Sequence, residues 1–220
     1  MKLRLACWLL CLTFASPLLA ASYRVEALNE PPPSDELSPS IAATLSATGL
    51  RVIRGTKTTF CDIWLCKEWA AKSDFKATNE ILYPFTPGQL MGVARFSRKA
   101  ADFRDQDVDK GIYTLRYAQQ PVDGAHVGTS LTRDFLLLVN AEKDRSADIL
   151  EYKKLVAESA EAAQSSHHAL FSMQRVADKV KRPSMRHNED HDWWIVGFDG
   201  KLKGGKSLNV ELVIVGVAAE

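Results

Sequence analysis

The sequence predicts a mostly β fold, an antiparallel β-sandwich of jelly-roll or immunoglobulin-like type with two packed helices. Runs rich in β-branched and aromatic residues recur along the chain, and glycine or proline turns separate them, which is typical of antiparallel sandwiches. The runs 111–117 and 134–139 flank a polar loop, and the runs 193–198 and 208–217 form a hairpin around a glycine-bearing turn. Further strands are expected at 23–28, 51–54, 58–65, 81–85, 90–96 and 169–176.

The first 20 residues have the pattern of an export signal. Lys2 and Arg4 form a positive end, the run 5–14 is apolar, and small residues lead to an expected cleavage after Ala20. The apolar run is shorter than the roughly 20 residues that span a membrane. We therefore expect a periplasmic or extracellular protein without a transmembrane span; an uncleaved anchor is the alternative.

Charge and length indicate one exported domain without a nucleic-acid partner. Removing Lys2 and Arg4 lowers the 28 basic residues to 26, against 27 acidic ones. A chain so close to neutral has no electrostatic basis for binding nucleic acid or an anionic membrane. Residues 21–36 are expected to be an N-terminal segment and linker, because three successive prolines hold the chain extended. Residues 37–220 are expected to form a single domain.

Two helices are expected to pack against the sheet. The first, near 39–48, has Ser38 as its cap and ends before Gly49. The second, near 148–163, begins with Asp148 and Glu151 in the spacing of a capping box. Residues three and four apart give it one apolar face. That face consists of Ile149, Tyr152, Val156, Ala160 and Ala163.

Two cysteines, Cys61 and Cys66, remain after the signal. In an oxidising compartment a pair indicates a disulfide. On a regular strand, however, side chains five residues apart point to opposite faces, so a bridge requires a turn or bulge between them. A disulfide and two buried thiols both remain open. The spacing does not match a zinc or haem motif.

The loop 119–133 is the first candidate for function, because loops of this length inside a compact domain often bind or catalyse. Its groups could instead satisfy the loop's own backbone. The segment 128–132 lacks the closing glycine of a hydrolase nucleophile elbow. Trp193 could also stack on a sugar ring. The candidate ligand-binding residues are Asp123, His126, Ser130, Arg133 and Trp193.

The hypothesis of a metal site rests on the histidines. A zinc or copper site requires the fold to bring several of them together. The spacing of His187 and His191 suits a helix, but their polar surroundings, after Pro183, favour a loop. The candidate metal ligands are His126, His167, His168, His187 and His191.

Calcium is the other cation considered, at the alternating aspartates Asp105, Asp107 and Asp109. A helical calcium loop needs glycine at its sixth position and glutamate at its twelfth, where this chain has Lys110 and Arg116. The alternative is a solvated acidic turn.

Three segments resemble a group of exported bacterial proteins of unknown function. They are Gly-Ile-Tyr-Thr-Leu-Arg-Tyr at 111–117, Gln-Pro-Val-Asp-Gly-Ala-His-Val-Gly at 120–128 and Arg-Asp-Phe-Leu-Leu-Leu at 133–138. The similarity extends through Trp193 and Trp194. It implies export and a bacterial envelope, and it implies no activity, cofactor or site.

The sequence therefore favours a non-enzymatic binding or envelope-associated protein. Its expected ligand is a small molecule, a glycan or an envelope protein, held at the edge formed by the loop 119–133. The alternative is a metal-dependent enzyme or metal carrier that uses the histidines. We expect no resident cofactor in the first case, and zinc, copper or calcium in the second.

Overall fold

In the part of the chain that the structure describes, ten antiparallel strands form one sheet that curls until its two edges approach each other. The computed structural model describes residues 22–122, 130–177 and 180–218. The strand order in the sheet is β1-β2-β3-β4-β7-β8-β9-β12-β11-β10, and β5 pairs with β6 separately. The strands are β1 (Tyr23–Leu28), β2 (Gly49–Arg54), β3 (Thr58–Leu65), β4 (Leu90–Phe96), β5 (Ala100–Ala101), β6 (Asp107–Val108), β7 (Gly111–Gln119), β8 (Asp134–Asn140), β9 (Leu170–Gln174), β10 (Ser184–Asn188), β11 (Trp193–Lys201) and β12 (Ser207–Val215); the helices are α1 (Pro39–Ala42) and α2 (Tyr152–Ala162).

The prediction of a mostly β antiparallel fold with two helices is confirmed. The sheet nearly closes on itself, because the ring of Tyr23 on β1 lies 5.4 Å from that of Trp194 on β11. The segment expected to precede the domain contributes β1, which pairs with β2 along its whole length. No helix in the described ranges has the length and apolarity needed to cross a membrane.

Alternation along the strands creates two hydrophobic cores among the described residues. Tyr113, Leu115 and Tyr117 of β7 point inward, as do Leu136 and Leu138 of β8. The opposite face of the sheet carries a second core beneath α2. We call these the inner core and the outer core; the outer core contains Phe103, Ala118, Phe135, Leu137, Val139, Leu150, Leu155, Leu170, Trp193, Ile195 and Val213.

The segment 66–89, between β3 and β4, fills the inside of the curled sheet. Its aromatic side chains Trp69, Tyr83 and Phe85 are each no more than 2% exposed. Phe85 contacts the rings of both Trp69 and Tyr117, with centroids 5.4 Å away in each case. The predicted strand at 81–85 is wrong, because these apolar residues form a plug inside the sheet and do not pair along its edge.

Helix α2 starts later than the capping-box pattern predicts. Asp148 does not cap it, because the Asp148 carbonyl accepts a hydrogen bond from Arg116 and the chain bends there before the helix begins at Tyr152. The carboxylate of Glu151 accepts from the N–H groups of Lys153 and Lys154, which lowers the pKa of Glu151. The buried face is correspondingly rotated to Leu155, Ser159 and Ala162, while the expected face residues Ile149 and Tyr152 are exposed.

The short first helix ends earlier than expected. Ser38 caps it as predicted, since its hydroxyl accepts from the N–H of Ile41. Gly49 does not close the helix, because it begins β2. A Cβ on Gly49 would lie 2.6 Å from the carbonyl oxygen of Ile63 on β3, so the close approach of the two strands requires glycine.

The prediction of a loop around His187 is wrong. The segment expected as a loop around His187 contains β10, which pairs with β11.

Cys61 and Cys66 are both buried and free, so of the two alternatives the structure has two buried thiols and no disulfide between them. Burial raises the pKa of Cys66 to about 11, so this thiol stays protonated at neutral pH.

Candidate functional site

The two described ends of the loop 119–133 are tied together by an arginine. The Nε and NH2 groups of Arg133 both donate to the carbonyl of Gln120, at 2.9 and 2.7 Å. The backbone adds a bond from the Gln120 N–H to the Arg133 carbonyl at 2.9 Å. Arg133 therefore fixes the neck of the loop. The candidates Asp123 and His126 lie outside the described residues.

A buried polar cluster supports this neck from inside the sheet. The Tyr117 hydroxyl donates to Asp134 at 2.5 Å, and Gln119 donates to the same hydroxyl at 2.8 Å. The second carboxylate oxygen of Asp134 accepts from the N–H of Leu82 in the plug. Burial raises the pKa of Asp134 despite these bonds. The cluster joins the loop to the plug.

Asp134 gives the protein a testable pH dependence. A carboxyl group whose pKa is raised in the folded state stabilises the protein fully at low pH and loses that contribution as pH rises. In Asp134→Asn this contribution is absent. We expect the stability of the wild type relative to Asp134→Asn to fall as pH increases from about 4 toward neutrality. Urea unfolding at several pH values measures the difference; a difference that rises with pH would contradict the assignment.

Ser130, at the end of the same loop, bonds to the sheet wall. Its hydroxyl lies 2.8 Å from that of Ser172 on β9, to which Gln174 donates at 2.7 Å. Thr132 donates to the carbonyl of Met173. These contacts hold the returning end of the loop against β9, and within the described ranges no histidine bonds to Ser130 as a general base would.

A small apolar pocket lies beside the loop neck, on the outer face of the sheet. We call it the loop-base socket. It holds about 40 Å³, room for a few heavy atoms. Its small size suits the end of a ligand and not a whole molecule. The apolar floor consists of Phe103, Ala118, Phe135, Leu137 and Leu170.

Register explains why a socket exists there. Ala118 on β7 lies opposite Phe135 on β8, so a methyl group stands where the rest of the outer core has large side chains. Phe103 forms one side of the socket and contacts the ring of Trp193, with centroids 5.2 Å apart. A small residue in a stripe of large ones was the available sequence signal. The distant Phe103 could not be assigned to it without the fold.

Polar groups surround the socket. On one side of it, the carboxylate of Asp102 holds the backbone in place. The Asp102 carboxylate accepts from the N–H groups of Arg104, Gln106 and Leu170, at 2.8 to 3.0 Å. Burial raises the pKa of Asp102.

The guanidinium of Arg104 is exposed and makes no hydrogen bond or ion pair within the described ranges. The polar rim consists of Arg104, Gln119, Gln120, Tyr152 and His168.

Trp193 belongs to the outer core. It is 2% exposed, and its indole N–H donates to the Val217 carbonyl at 2.7 Å. Its ring also stacks on His191, with centroids 4.3 Å apart. The neighbouring Trp194 is the more exposed of the two and stacks on His187 at 4.5 Å.

The candidate metal ligands are distributed over several surfaces. His167 is exposed beside Ser166, and His168 lies at the socket rim. His187 pairs with Asp192 at 2.7 Å. Within residues 22–122, 130–177 and 180–218, no group of three His, Cys, Asp or Glu residues is arranged to hold a metal ion. Because His126 and Asp123 are outside these ranges, the metal hypothesis stays a prediction.

The acidic turn has protein partners. Asp107 pairs with Lys99 at 2.6 Å, and Asp109 accepts from Gln164 at 2.5 Å. Asp105 adopts a positive φ of 59° within the turn. These contacts fit the solvated acidic turn that was the alternative to calcium.

No protein-family model, curated protein or solved structure matches this chain.

Proposed function

We propose that the protein is an exported, non-enzymatic binding protein that holds the apolar end of a ligand in the loop-base socket. The observation that carries the proposal is the socket itself, an apolar floor within a polar rim beside the neck of the loop 119–133. Apolar floors with a few polar groups at the edge are typical of ligand sites. The capacity of about 40 Å³ fits a ring edge or a branched alkyl end.

The rim indicates the rest of the ligand. Arg104 can donate to an acceptor outside the socket without breaking a bond within the described residues. Tyr152, 39% exposed, offers a second hydrogen-bonding group at the rim, its hydroxyl. Partial burial raises the pKa of Tyr152, so it stays a neutral donor at physiological pH. A small molecule with an apolar end and a hydrogen-bonding body satisfies both features.

The first experiment is native mass spectrometry of the mature protein purified from its own compartment. A co-purified small molecule, released on denaturation, supports the proposal and identifies the ligand. If the protein is empty, a compound library is screened by thermal unfolding. A ligand at 100 times its dissociation constant stabilises the folded state by about 2.7 kcal/mol.

Filling the socket is expected to abolish this binding. Ala218 is half-buried and lines the socket, and Ala218→Leu places three extra carbon atoms there. The matched control is Ala147→Leu, a half-buried alanine beside a different surface cleft. We expect at least a tenfold loss of affinity in Ala218→Leu and none in Ala147→Leu. Equal affinities in the two variants would place the ligand elsewhere.

The rim is tested with a second pair of variants. Arg104→Gln is expected to weaken binding about tenfold, because a hydrogen bond from a charged donor is lost. Arg98 is also an exposed arginine whose side chain makes no hydrogen bond or ion pair within the described ranges, so Arg98→Gln is the matched control.

A further inference from the structure

The two edges of the curled sheet meet at one end and separate at the other. Tyr23, at the start of β1, contacts Trp194, which closes one end. At the other end of β1, where Leu28 pairs with Gly49, a cleft of about 390 Å³ opens between the start of β2 and the last residues of β11. We call this the seam cleft. It is almost ten times larger than the loop-base socket.

One edge of the seam cleft exposes backbone that its neighbouring strand does not cover. Strand β10 pairs with β11 only as far as Gly197. Beyond Gly197, the carbonyl of Lys201 accepts a hydrogen bond from the N–H of Trp69. The backbone N–H and carbonyl of one residue point to the same side of an antiparallel strand, and those of the next residue point to the other side. Asp199 lies two residues before Lys201, so its N–H and carbonyl point to the same side as the Lys201 carbonyl, toward the cleft.

Arg182 lines the cleft with a buried donor that lacks an acceptor. Its side chain is 5% exposed. Two of its nitrogens are occupied, since NH1 donates to the Val180 carbonyl at 3.0 Å and NH2 to that of Ala177 at 3.2 Å. The Nε group has no hydrogen-bond partner in the described part of the chain. A buried N–H without an acceptor is costly, and because solvent does not reach Nε, Arg182 acts on the cleft through its charge.

The charge of Arg182 is also incompletely balanced. The buried carboxylate of Glu211 lies closer to Arg186, with contacts of 2.9 and 2.8 Å, than to Arg182, at 3.4 Å. Asp199 is 56% exposed and 4.0 Å from Nε, beyond hydrogen-bond distance. Besides Asp199, the lining residues that carry charge are cations, Arg182, Lys67 and Lys201. The cleft therefore has a net positive charge.

Apolar side chains form part of the remaining wall of the cleft. Leu50, Ile63, Leu65 and Phe198 line it from both sides of the seam. Cys66 lies at the same wall, and its thiol is neutral because burial raises its pKa to about 11. An anion in the cleft therefore meets no negative charge on this side.

We propose that the seam cleft binds a small monocarboxylate with an apolar body, independently of the loop-base socket. Arg182, Lys67 and Lys201 line the cleft and attract the carboxylate. The apolar body lies against Leu50 and Phe198. Two sources share this chemistry, a fatty acid and the carboxyl terminus of a peptide that ends in an apolar residue.

Calorimetric titration of the purified mature protein tests the two parts of this chemistry separately. The ligands are octanoate, octan-1-ol, which has the chain without the charge, and acetate, which has the charge without the chain. Octanoate is expected to bind saturably and at least tenfold more tightly than either. Equal affinities for octanoate and octan-1-ol, or no octanoate binding at about 10 mM, would overturn the proposal.

Substitutions then place the binding in the cleft. Arg182→Gln is expected to weaken octanoate binding at least tenfold, provided that thermal unfolding shows a folded protein. Thr48→Glu tests the same point if Arg182→Gln does not fold, because Thr48 is an exposed residue of the cleft and a carboxylate there repels the ligand. Thr56→Glu, at an exposed turn residue outside the cleft, is the matched control. Equal binding by both glutamate variants would refute the assignment.

Two further results separate the alternatives. Tighter binding of N-acetyl-leucine than of octanoate would identify a peptide carboxyl terminus as the ligand class, and the reverse order a fatty acid. Ala218→Leu, which fills the loop-base socket, is expected to leave octanoate binding unchanged. Loss of octanoate binding in that variant would transfer the ligand to the socket and overturn the proposal for the seam cleft.

Discussion

Replacing Arg116 by methionine is expected to lower the free energy of unfolding by about 3–5 kcal/mol, the cost of leaving a buried charge unpaired. Arg116 is fully buried on β7 and contacts both carboxylate oxygens of Asp144, at 2.6 and 2.8 Å. It also donates to the carbonyls of Gly88, Ser146 and Asp148. Methionine fills much of the space but leaves five acceptor oxygens without this donor. Urea unfolding at neutral pH measures the loss.

Arg95→Met is the matched control for this prediction. Arg95 also binds a buried carboxylate, that of Asp62, but is itself 32% exposed. Asp62 keeps a second arginine, Arg51, at 2.7 Å. We expect a loss of about 1 kcal/mol. Combining Arg116→Met with Asp144→Leu should restore part of the stability, because no unpaired charge then remains. Similar losses for Arg116→Met and Arg95→Met would contradict the role given to Arg116.

Replacing Phe85 by alanine is expected to cost about 3–5 kcal/mol through loss of buried area and the cavity left behind. Phe85 is completely buried and contacts the rings of Trp69, Tyr83 and Tyr117. These contacts hold the plug 66–89 inside the curled sheet. Guanidinium unfolding measures the loss of stability, and amide hydrogen exchange should show faster opening of the segment 66–89 than of β7 and β8.

Phe60→Ala is the control for the plug prediction. Phe60 on β3 is half-buried and contacts Tyr23 and Phe96. Because less area is buried and no enclosed cavity is formed, its loss should be clearly smaller. An equal loss of stability in Phe60→Ala and Phe85→Ala would mean that the plug is not a principal part of the inner core.

Local patterns gave correct predictions where one segment carries the whole signal. The β-branched and aromatic runs predicted β7, β8, β11 and β12, and Ser38 with Pro39 marked the start of α1. Predictions failed where a distant group competes for the backbone. Arg116 holds the Asp148 carbonyl and thereby delays α2, and the run 81–85 enters the sheet interior. A local pattern contains no information about such partners.

The candidate site was likewise predicted only in part from the sequence. The loop 119–133 was identified from its length and polarity, and the structure adds the neck made by Arg133 and Gln120. The socket beside it needs Phe103, Tyr152 and Ala218, which come from separate parts of the chain. Their sequence separation hides the site until the sheet curls and α2 packs against it.

Local residue patterns were enough to predict the β-rich composition of the fold, the main strand pairs and the position of the polar loop, because alternation and turn residues act over short distances. Long-range packing sets the strand order, the plug, the loop-base socket and the seam cleft. These features depend on how far the sheet curls and where its edges separate, and that geometry is set by contacts such as Tyr23 with Trp194 and Phe85 with Tyr117. Such contacts join residues far apart in the chain, so no local pattern specifies them.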